Sequence, residues 1–470
     1  MQPVRAAADV HPVARAARQG MQRGVWLCSS WRALLLLYML LFVPLFRPDV
    51  GVNDPAGYYS WARSVLVDGD LNLTNEFTVY GMNDLVPRTP SGSAHNQWAA
   101  GSAWLWLPAM ALVHSLLKIG GWSNLPADGY SWPYVWAAAL TTTLSGLGAI
   151  LLVYHLAQRL FSPFAALLGV LGIWLATPLV FYQFHQPLLA HANDALLNAL
   201  FIWCWWQTRQ HGAGPGRWLR LGVVIGAATW VRTQNILLLA ATVVEQAAVQ
   251  RWPLRGEGKL LHSTLVRNWL WLLAGLALML IPLSFFWHAV YGAWFVNTYQ
   301  ASAGGVFDWR APHWWQVLLS SDRGLLLWTP IALLALAGFS PLWRSDRRLG
   351  LLLGAVVLLQ WYVISCWSHW SGGHAFGPRL WTAVLPAFGL MLAALIDRLE
   401  GLRWTPRWAV RAVITLLIAW NFLLMLQYSL GRVAPTGEVN MIQVAKQQLL
   451  LAPEVLIQLA ARIQRLFHAW

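Results

Sequence analysis

Eleven apolar runs divide this sequence, and their lengths constrain its fold more than any other feature. An α-helix needs about 20 apolar residues to cross the hydrocarbon core of a bilayer, and the runs are near that length. The sequence therefore predicts an all-α, polytopic membrane protein with about eleven transmembrane helices. The runs lie at about 33–46, 98–118, 133–157, 163–181, 187–206, 221–245, 268–290, 324–343, 349–367, 379–397 and 411–430.

The composition supports a membrane location and excludes nucleic acid as a partner. Hydrophobic residues make up 58% of the chain and charged residues 11%, whereas soluble domains are roughly one quarter charged. The net charge of +14 comes mostly from arginines in short segments between the apolar runs, which is how the positive-inside rule encodes topology. The 33 tryptophans fit the boundary between lipid and water. The lipid bilayer is thus the first predicted partner.

Three regions follow from this pattern. Residues 1–32 form a predicted basic cytoplasmic tail, residues 33–430 the membrane domain, and residues 431–470 a C-terminal amphipathic segment. With the amino terminus inside, three loops face outward and two arginine clusters face inward, as the rule requires. These are the outward loops 47–97, 291–323 and 368–378, and the inward clusters 344–348 and 398–411.

One basic segment disagrees with eleven simple spans. Segment 207–220 carries three arginines, yet eleven spans place it outside. It lies inside if the runs 98–118 and 221–245 re-enter the membrane instead of crossing it. A polar stretch, 232–235, interrupts the second run and allows a broken helix, because polar breaks are tolerated where protein or water lines them.

The first outer loop, 47–97, is unusually acidic and contains a helix-start signal. In Asn53-Asp54-Pro55, Asp54 has the position of an N-cap and Pro55 that of the first helical residue. Capping is one interpretation of Asp54. The other is a catalytic base, held at the membrane surface beside the substrate-binding candidates Tyr58, Tyr59 and Arg63.

The same loop contains oxygen ligands of the kind that hard cations prefer, at Asp68, Asp70 and Asn72. Their spacing fails the EF-hand pattern because Leu73 stands where the turn glycine should be. A polar turn is therefore the favoured interpretation. A divalent cation, Mg²⁺ or Mn²⁺, remains the alternative cofactor.

Ionisable residues also interrupt the apolar runs. His185, His191 and Asp194 lie in one run, and Arg232 lies in another. Asp194 and a lipid phosphate are the two candidates that would neutralise Arg232. Such groups are costly in a membrane and usually face the bundle interior or a water-filled cavity. The two histidines are candidates for substrate binding, with a purely structural role as the alternative.

Two later loops contain candidates for phosphate binding. In the segment GGHAFGPRL, glycines such as Gly373 let backbone N–H groups approach an anion, and Arg379 adds a cation that can bind two phosphate oxygens at once. His374 supplies a further hydrogen bond, and Arg323 begins another span on the same side. The alternative is a glycine-rich loop with an arginine that anchors the helix at the interface.

The order of these motifs resembles the GT-C membrane glycosyltransferases. It is most similar to the branch of the protein mannosyltransferases and aminoarabinose transferases. The stretches NDPAGYYSWARSVLVDGDLNLTNEF, SDRGLLLWTP and GGHAFGPRL carry the resemblance.

The resemblance implies a polyprenyl-phosphate-linked sugar donor, inversion at the anomeric carbon, and Asp54 as the general base. The acidic pair common in the family is here Asp54-Pro55, so a second acid has to come from elsewhere in the chain, with Glu76 and Asp84 as candidates. Glu76 is also a candidate for substrate binding. That departure puts a metal role in doubt.

We therefore predict an inverting hexosyl- or pentosyltransferase of a bacterial inner membrane, with its active site on the periplasmic side. Its predicted partners are a polyprenyl-phosphate sugar and a glycan, lipid or protein acceptor. The alternatives are a flippase for a lipid-linked saccharide and an inactive scaffold. A flippase needs a continuous polar path and is favoured by internal repeats, and the sequence shows no repeat.

Overall fold

The computed structural model describes residues 31–82, 85–209, 214–251, 258–299, 306–402 and 404–450, excluding the side chains of 249–251 and 258–264. Most of the predicted basic tail, the candidate acid Asp84 and residues 451–470 lie outside the described residues. At 441–450 the chain is helical, with Val444 and Gln448, one turn apart, buried on one face.

Within the described ranges the protein is all-α, with two isolated β-bridges and no sheet. The helices are α1 (Trp31–Leu45), α2 (Asp54–Arg63), α3 (Thr74–Val79), α4 (Gly101–Gly120), α5 (Trp132–Leu160), α6 (Pro163–Leu175), α7 (Leu179–Phe184), α8 (His191–Thr208), α9 (Pro215–Val231), α10 (Leu237–Arg251), α11 (Gly258–Tyr291), α12 (Gln316–Leu319), α13 (Leu325–Trp328), α14 (Ile331–Ala337), α15 (Phe339–Ser345), α16 (Arg347–Cys366), α17 (Leu385–Glu400) and α18 (Arg407–Ser429).

Six helical segments among the described residues are long and apolar enough to cross a membrane, and three further apolar helices are shorter. The long ones are Gly101–Gly120, Trp132–Leu160, Leu265–Tyr291, Arg347–Cys366, Arg379–Glu400 and Arg407–Ser429. The predicted all-α polytopic membrane fold is confirmed. The count of eleven spans stays a prediction.

The sequence sets several helix starts by ordinary capping. The Ser162 side chain accepts a hydrogen bond from the Ala165 N–H, and Pro163 occupies the first turn of α6. The Asp346 side chain accepts from the Leu349 N–H at the start of α16. In both cases a side-chain oxygen satisfies an N–H group that has no partner within the helix.

Glycines let α9 and α11 approach more closely than any larger residue permits. A Cβ at Gly222 would lie 1.9 Å from the Leu272 carbonyl oxygen, and a Cβ at Gly275 would lie 2.1 Å from the Leu219 oxygen. Close backbone contact of this kind drives helix association in membranes, where lipid removes the hydrophobic driving force.

The direction of α4 corrects the prediction for run 98–118. Helix α1 is antiparallel to α5: the Tyr38 hydroxyl donates to Thr143 Oγ1 at 2.9 Å, while the Phe46 ring packs on Trp136. Helix α4 is antiparallel to α5 as well, through the pair Trp106–Thr142 at one end and His114–Tyr134 at the other.

Helices α1 and α4 therefore point the same way. The helical segments described between them are α2, a π-helical turn that continues it at Ser64–Asp68, and α3, and all are too short to cross a bilayer. Run 98–118 thus does not return the chain across the membrane, and α4 re-enters from the side on which α1 ends. Hydropathy gives the length of a run and not its direction, so the sequence left this point open.

Run 221–245 is a hairpin of two helices and not one span. Helix α9 ends at Val231, Arg232 is extended (φ −148°), and a 3₁₀ turn follows at Thr233–Ile236. At the turn, the Asn235 amide donates both to Asp194 Oδ1 at the start of α8 and to the Ala228 carbonyl.

At the opposite end, α8 contacts both arms of this hairpin. The Trp205 indole N–H donates to Glu245 in α10, and Arg217 in α9 donates to the Gln207 carbonyl. Helix α8 is thus parallel to α10 and antiparallel to α9, so the chain reverses at Arg232.

The hairpin resolves the conflict over segment 207–220. Arg209 forms an ion pair with Asp346 at 2.7 Å, and Glu245 pairs with Arg348 at 2.6 Å. Arg209 of the basic segment therefore lies beside the 344–348 cluster, as the alternative with re-entrant runs requires, and not on the opposite side, where eleven simple spans place it. Compared with the eleven predicted spans, α4 does not cross the membrane, whereas run 221–245 contributes two helices, α9 and α10. The predicted number of membrane crossings therefore remains eleven.

Candidate active site

A cavity of about 640 Å³ opens beside the start of α2, within the usual size range of a small-molecule pocket. Loop 47–97, the turn between α7 and α8, and the segment GGHAFGPRL form its walls. Five of the predicted site residues line it: Asp54, His185, Gly373, His374 and Arg379.

The centre of this cavity is an ion pair between residues more than 300 positions apart in the sequence. Arg379 Nη1 lies 2.7 Å from Asp54 Oδ2, and the side chains are 13% and 26% exposed. Helix α2 begins at Asp54, with Asn53 as the N-cap and no side-chain cap hydrogen bond. The capping interpretation of Asp54 is therefore wrong, because its carboxylate faces Arg379 instead of the first turn.

The backbone of GGHAFGPRL places Arg379. Gly372, Gly373 and Gly377 all have positive φ, a conformation that glycine adopts without steric cost. Phe376 is held by Tyr182, whose hydroxyl accepts from the Phe376 N–H at 2.9 Å and donates to its carbonyl at 3.0 Å. Arg379 then begins a 3₁₀ helix, Arg379–Val384, that leads into α17.

Two tyrosines lie beside the ion pair. Tyr58 is 4% exposed, and its hydroxyl is hydrogen-bonded to Tyr299. Burial raises the pKa of the Tyr58 hydroxyl well above its ordinary value; Tyr299 and Asp54 act in the same direction, and Arg232 and Arg379 oppose it. Tyr58 is therefore neutral at physiological pH and can donate or accept a hydrogen bond near both arginines.

A buried polar network lies next to these tyrosines. Asp194 is fully buried, and its Oδ1 accepts from Asn198 at 2.9 Å and from Asn235 at 2.7 Å. Arg232 Nε lies 3.7 Å from Asp194 Oδ2. The predicted residue His191 does not line the cavity: it is buried, with its Nδ1 3.0 Å from Thr382 Oγ1.

Tyr59, Arg63 and Glu76 do not line the cavity either, which corrects their predicted role in substrate binding. Arg63 pairs with Asp68 and, at 2.9 Å, with Glu76 Oε1; its Nε also donates to the Asp128 carbonyl. The two ion pairs lie within loop 47–97, and the bond to Asp128 fastens this loop to the loop between α4 and α5.

Tyr59 reinforces this attachment by donating to the Gly129 carbonyl at 2.7 Å. Burial raises the pKa of the Glu76 carboxyl to about 7, although the hydrogen bond and charge of Arg63 act in the opposite direction. Glu76 is 0% exposed, so it cannot serve as the second acid that the family resemblance called for.

The candidate metal ligands are used in local turns. Asp68 binds Arg63 and Asn75, the Asp70 carboxylate accepts from Ser64 and from the Asn72 N–H, and Asn72 accepts from Thr74. Among the residues that the structure describes, no group of three or more His, Cys, Asp or Glu side chains is placed to hold a metal ion. The polar-turn interpretation accounts for all three residues.

Arg323 is not available to a phosphate. Its side chain is 0% exposed, and it pairs with Asp322 at 2.6 Å. Three further hydrogen bonds run from its guanidinium to the carbonyls of Ala375, Ala434 and Gly437. Arg323, which was predicted to bind phosphate together with Arg379, instead holds the glycine-rich loop against the segment after α18.

The sequence reasoning missed two tyrosines of the site, Tyr182 and Tyr299, whereas it named Arg232 as a charge that Asp194 or a lipid phosphate neutralises. A tyrosine in an apolar run looks like a packing residue, and no spacing rule connects it to a loop almost 200 residues away. For Arg232 a signal existed, because an arginine within an apolar run has to face something polar.

No family model matches the sequence, and no curated protein matches it. Solved structures do match the fold. ArnT from Cupriavidus metallidurans in the apo state gives a TM-score of 0.51 at 16% identity, over 89% of this chain and 73% of that chain. ArnT from the same organism bound to undecaprenyl phosphate gives 0.53 at 16% identity, over 89% and 74%.

The archaeal oligosaccharyltransferase AglB from Archaeoglobus fulgidus, in complex with an inhibitory peptide and a dolichol-phosphate, gives a TM-score of 0.47 at 12% identity, over 88% of this chain and 57% of that chain. At these identities a structural likeness establishes the fold alone. The resemblance predicted from the sequence motifs is confirmed at the level of architecture: this chain shares the polytopic membrane fold of the ArnT structures, which is of the GT-C type.

Proposed function

We propose that this protein transfers a sugar from a polyprenyl-phosphate donor to an envelope acceptor at the periplasmic face of a bacterial inner membrane. The observation that carries the proposal is the meeting of Asp54 and Arg379 in one open cavity. A base and a cation are the two groups that this reaction needs most, since phosphate is already a good leaving group.

The proposed chemistry assigns one role to each of these groups. Asp54 accepts the proton of the acceptor hydroxyl as its oxygen attacks the anomeric carbon. The bond between that carbon and the phosphate oxygen breaks, and the electron pair leaves with the phosphate. Arg379 stabilises the charge that develops there. Attack opposite the leaving phosphate inverts the anomeric centre.

Polar side chains around the cavity provide sugar contacts in this scheme. His185 and His374 lie on its wall with Gln97 and Trp98. An indole face packs well against the apolar face of a sugar ring, and the histidines and the amide offer hydrogen bonds to hydroxyl groups. We assign Tyr58 to the same substrate-binding group because its hydroxyl lies beside the ion pair.

An apolar groove of about 350 Å³ suits the lipid part of the donor. It lies between α4, α9 and α11, is lined by Trp104, Trp230 and Met279, and reaches Val231, the residue before Arg232. A polyprenyl chain in this groove would bring its phosphate toward the arginines. The ArnT structure bound to undecaprenyl phosphate supports this donor class for the fold.

A donor panel tests the proposal. Protein in nanodiscs is mixed with radiolabelled polyprenyl-phosphate hexoses and pentoses and with envelope extracts, and label moving to an acceptor is measured. We expect the wild type to consume one donor, and Arg379→Gln to lower that rate at least about 100-fold. Arg47→Gln, on the same cavity wall, is the matched control. Folded wild type that consumes no donor, or Arg379→Gln with an unchanged rate, would overturn the proposal.

A further inference from the structure

The Asp54 carboxylate is paired with Arg379, the cation that the proposed donor phosphate needs. Carboxylates and phosphates bind an arginine through the same type of charge-assisted hydrogen bond. Arg379 makes one such bond, from Nη1 to Asp54 Oδ2 at 2.7 Å. Its Nε is buried and has no hydrogen-bond partner among the described residues, so the guanidinium has a free donor.

Arg232 is a second cation with an unused donor. Its side chain is 10% exposed, and its Nη1 is buried without a hydrogen-bond partner in the described part of the chain. Asp194 Oδ2 lies 3.7 Å from Arg232 Nε, and Asp194 Oδ1 accepts shorter hydrogen bonds from Asn198 and Asn235. A buried donor without a partner costs free energy, which an anionic ligand would recover.

The first turn of α8 connects the two arginines. His191 Nδ1 lies 3.0 Å from Thr382 Oγ1, and the Thr382 hydroxyl donates to the Arg379 carbonyl at 2.9 Å. Asp194, three residues after His191, lies 3.7 Å from Arg232 Nε. Arg232 is held there by the reversal between α9 and α10, and Arg379 by the glycine-rich loop. Two fixed guanidinium groups with unused N–H donors form a binding site for a phosphate group.

We infer that Arg232 and Arg379 together bind the donor phosphate, and that the phosphate displaces Asp54 from Arg379. The inference rests on the proposed function and adds the order in which donor binding and acceptor activation occur. While Arg379 is paired with Asp54, the ion pair keeps the carboxylate from acting as a base. Once a phosphate binds Arg379 instead, the Asp54 carboxylate is free to accept the proton of an acceptor. Donor binding thus precedes acceptor activation, and the same ion pair links the two events.

A binding measurement tests the displacement without depending on transfer. The probe is undecaprenyl phosphate without a sugar, titrated onto protein in nanodiscs. Because Asp54 competes with the phosphate, Asp54→Asn should bind the probe roughly tenfold more tightly than the wild type. Asp49→Asn is the control: it removes the same charge from the same cavity, but the Asp49 carboxylate accepts from the Gly51 N–H and pairs with no arginine among the described residues.

The control variant separates local competition from the general loss of negative charge. We expect Asp49→Asn to change the dissociation constant by less than about threefold, since an exposed charge is screened by solvent and salt. Asp54→Asn with unchanged or weaker binding would overturn the displacement, and so would an equal gain in both variants.

Arg232 is tested by the same titration. Arg232→Gln should weaken binding at least about tenfold, while Arg47→Gln, a cation on the cavity wall, should weaken it less. Unfolding curves of each variant exclude loss of fold as the cause. Binding unchanged in folded Arg232→Gln would remove Arg232 from the site.

The inference and the proposed function fail in different ways. If folded wild type binds no polyprenyl phosphate and consumes no donor, both are overturned. If transfer depends on Arg379 but Asp54→Asn does not tighten probe binding, the transferase stands and the ordered displacement is overturned.

Discussion

The hydroxyl of Tyr182 provides a sharp test of how the site is built. Tyr182 is 0% exposed and Phe376 is 1% exposed. The hydroxyl is the hydrogen-bond partner of both the N–H and the carbonyl of Phe376. The change Tyr182→Phe keeps the ring and leaves two buried backbone groups unpaired. Each unpaired group costs about 1–3 kcal/mol, so the free energy of unfolding should fall by about 2–6 kcal/mol.

Unfolding in mixed detergent micelles measures this loss, and Tyr362→Phe is the matched control. The Tyr362 hydroxyl donates to the Trp309 carbonyl at 3.1 Å in an exposed position, where water replaces the lost bond. We expect the control to change stability by less than about 0.5 kcal/mol. A loss that small for Tyr182→Phe would refute the account of the glycine-rich loop. So would a loss of equal size in both variants.

Three further predictions concern the remaining structural assignments. The folded-state pKa of Glu76 lies above its unfolded value of 4.5, so its stabilising contribution is complete below pH 4.5 and is lost as the pH rises through about 7. Glu76→Gln should therefore remove up to roughly 3 kcal/mol of the pH dependence of unfolding, and an unchanged pH profile would contradict the burial of this carboxyl. Gly275→Ala places a Cβ 2.1 Å from the Leu219 oxygen, whereas Gly216 has open space; the first change should lower stability by about 1–3 kcal/mol and Gly216→Ala should not, as measured by detergent-induced unfolding. Arg323→Lys should lower thermal stability but leave the donor dissociation constant of the folded protein within about threefold; a larger loss of donor binding would restore Arg323 to the phosphate site.

The sequence predicted the elements that depend on local chemistry. The apolar runs gave the all-α membrane fold because run length and apolarity are local properties. Asp54-Pro55 marked the start of α2 because proline is favoured in the first helical turn. Glycines followed by Arg379 marked a loop on the cavity wall, and anion binding at this loop stays a prediction. The structure brings this loop to the start of α2.

The sequence did not predict features that depend on distant partners. An arginine before a glycine at a helix start looks the same whether its donors are free or, as for Arg323, already bound to carbonyls more than 50 residues away. The acidic residues of loop 47–97 are ambiguous in the same way, because their partners are not visible in the local sequence. Nothing local in Glu76 shows that it pairs with Arg63, and nothing local in Asp54 shows that it pairs with Arg379.

The most direct test of the proposed base is a single-turnover transfer assay on two aspartates of one cavity. Wild type, Asp54→Asn and Asp49→Asn are loaded with saturating donor in nanodiscs, and the rate of sugar transfer is measured after acceptor is added. We predict a rate at least about 100-fold lower for Asp54→Asn, and a rate within about threefold of wild type for Asp49→Asn. Equal rates for wild type and Asp54→Asn would contradict the assignment of Asp54 as the base.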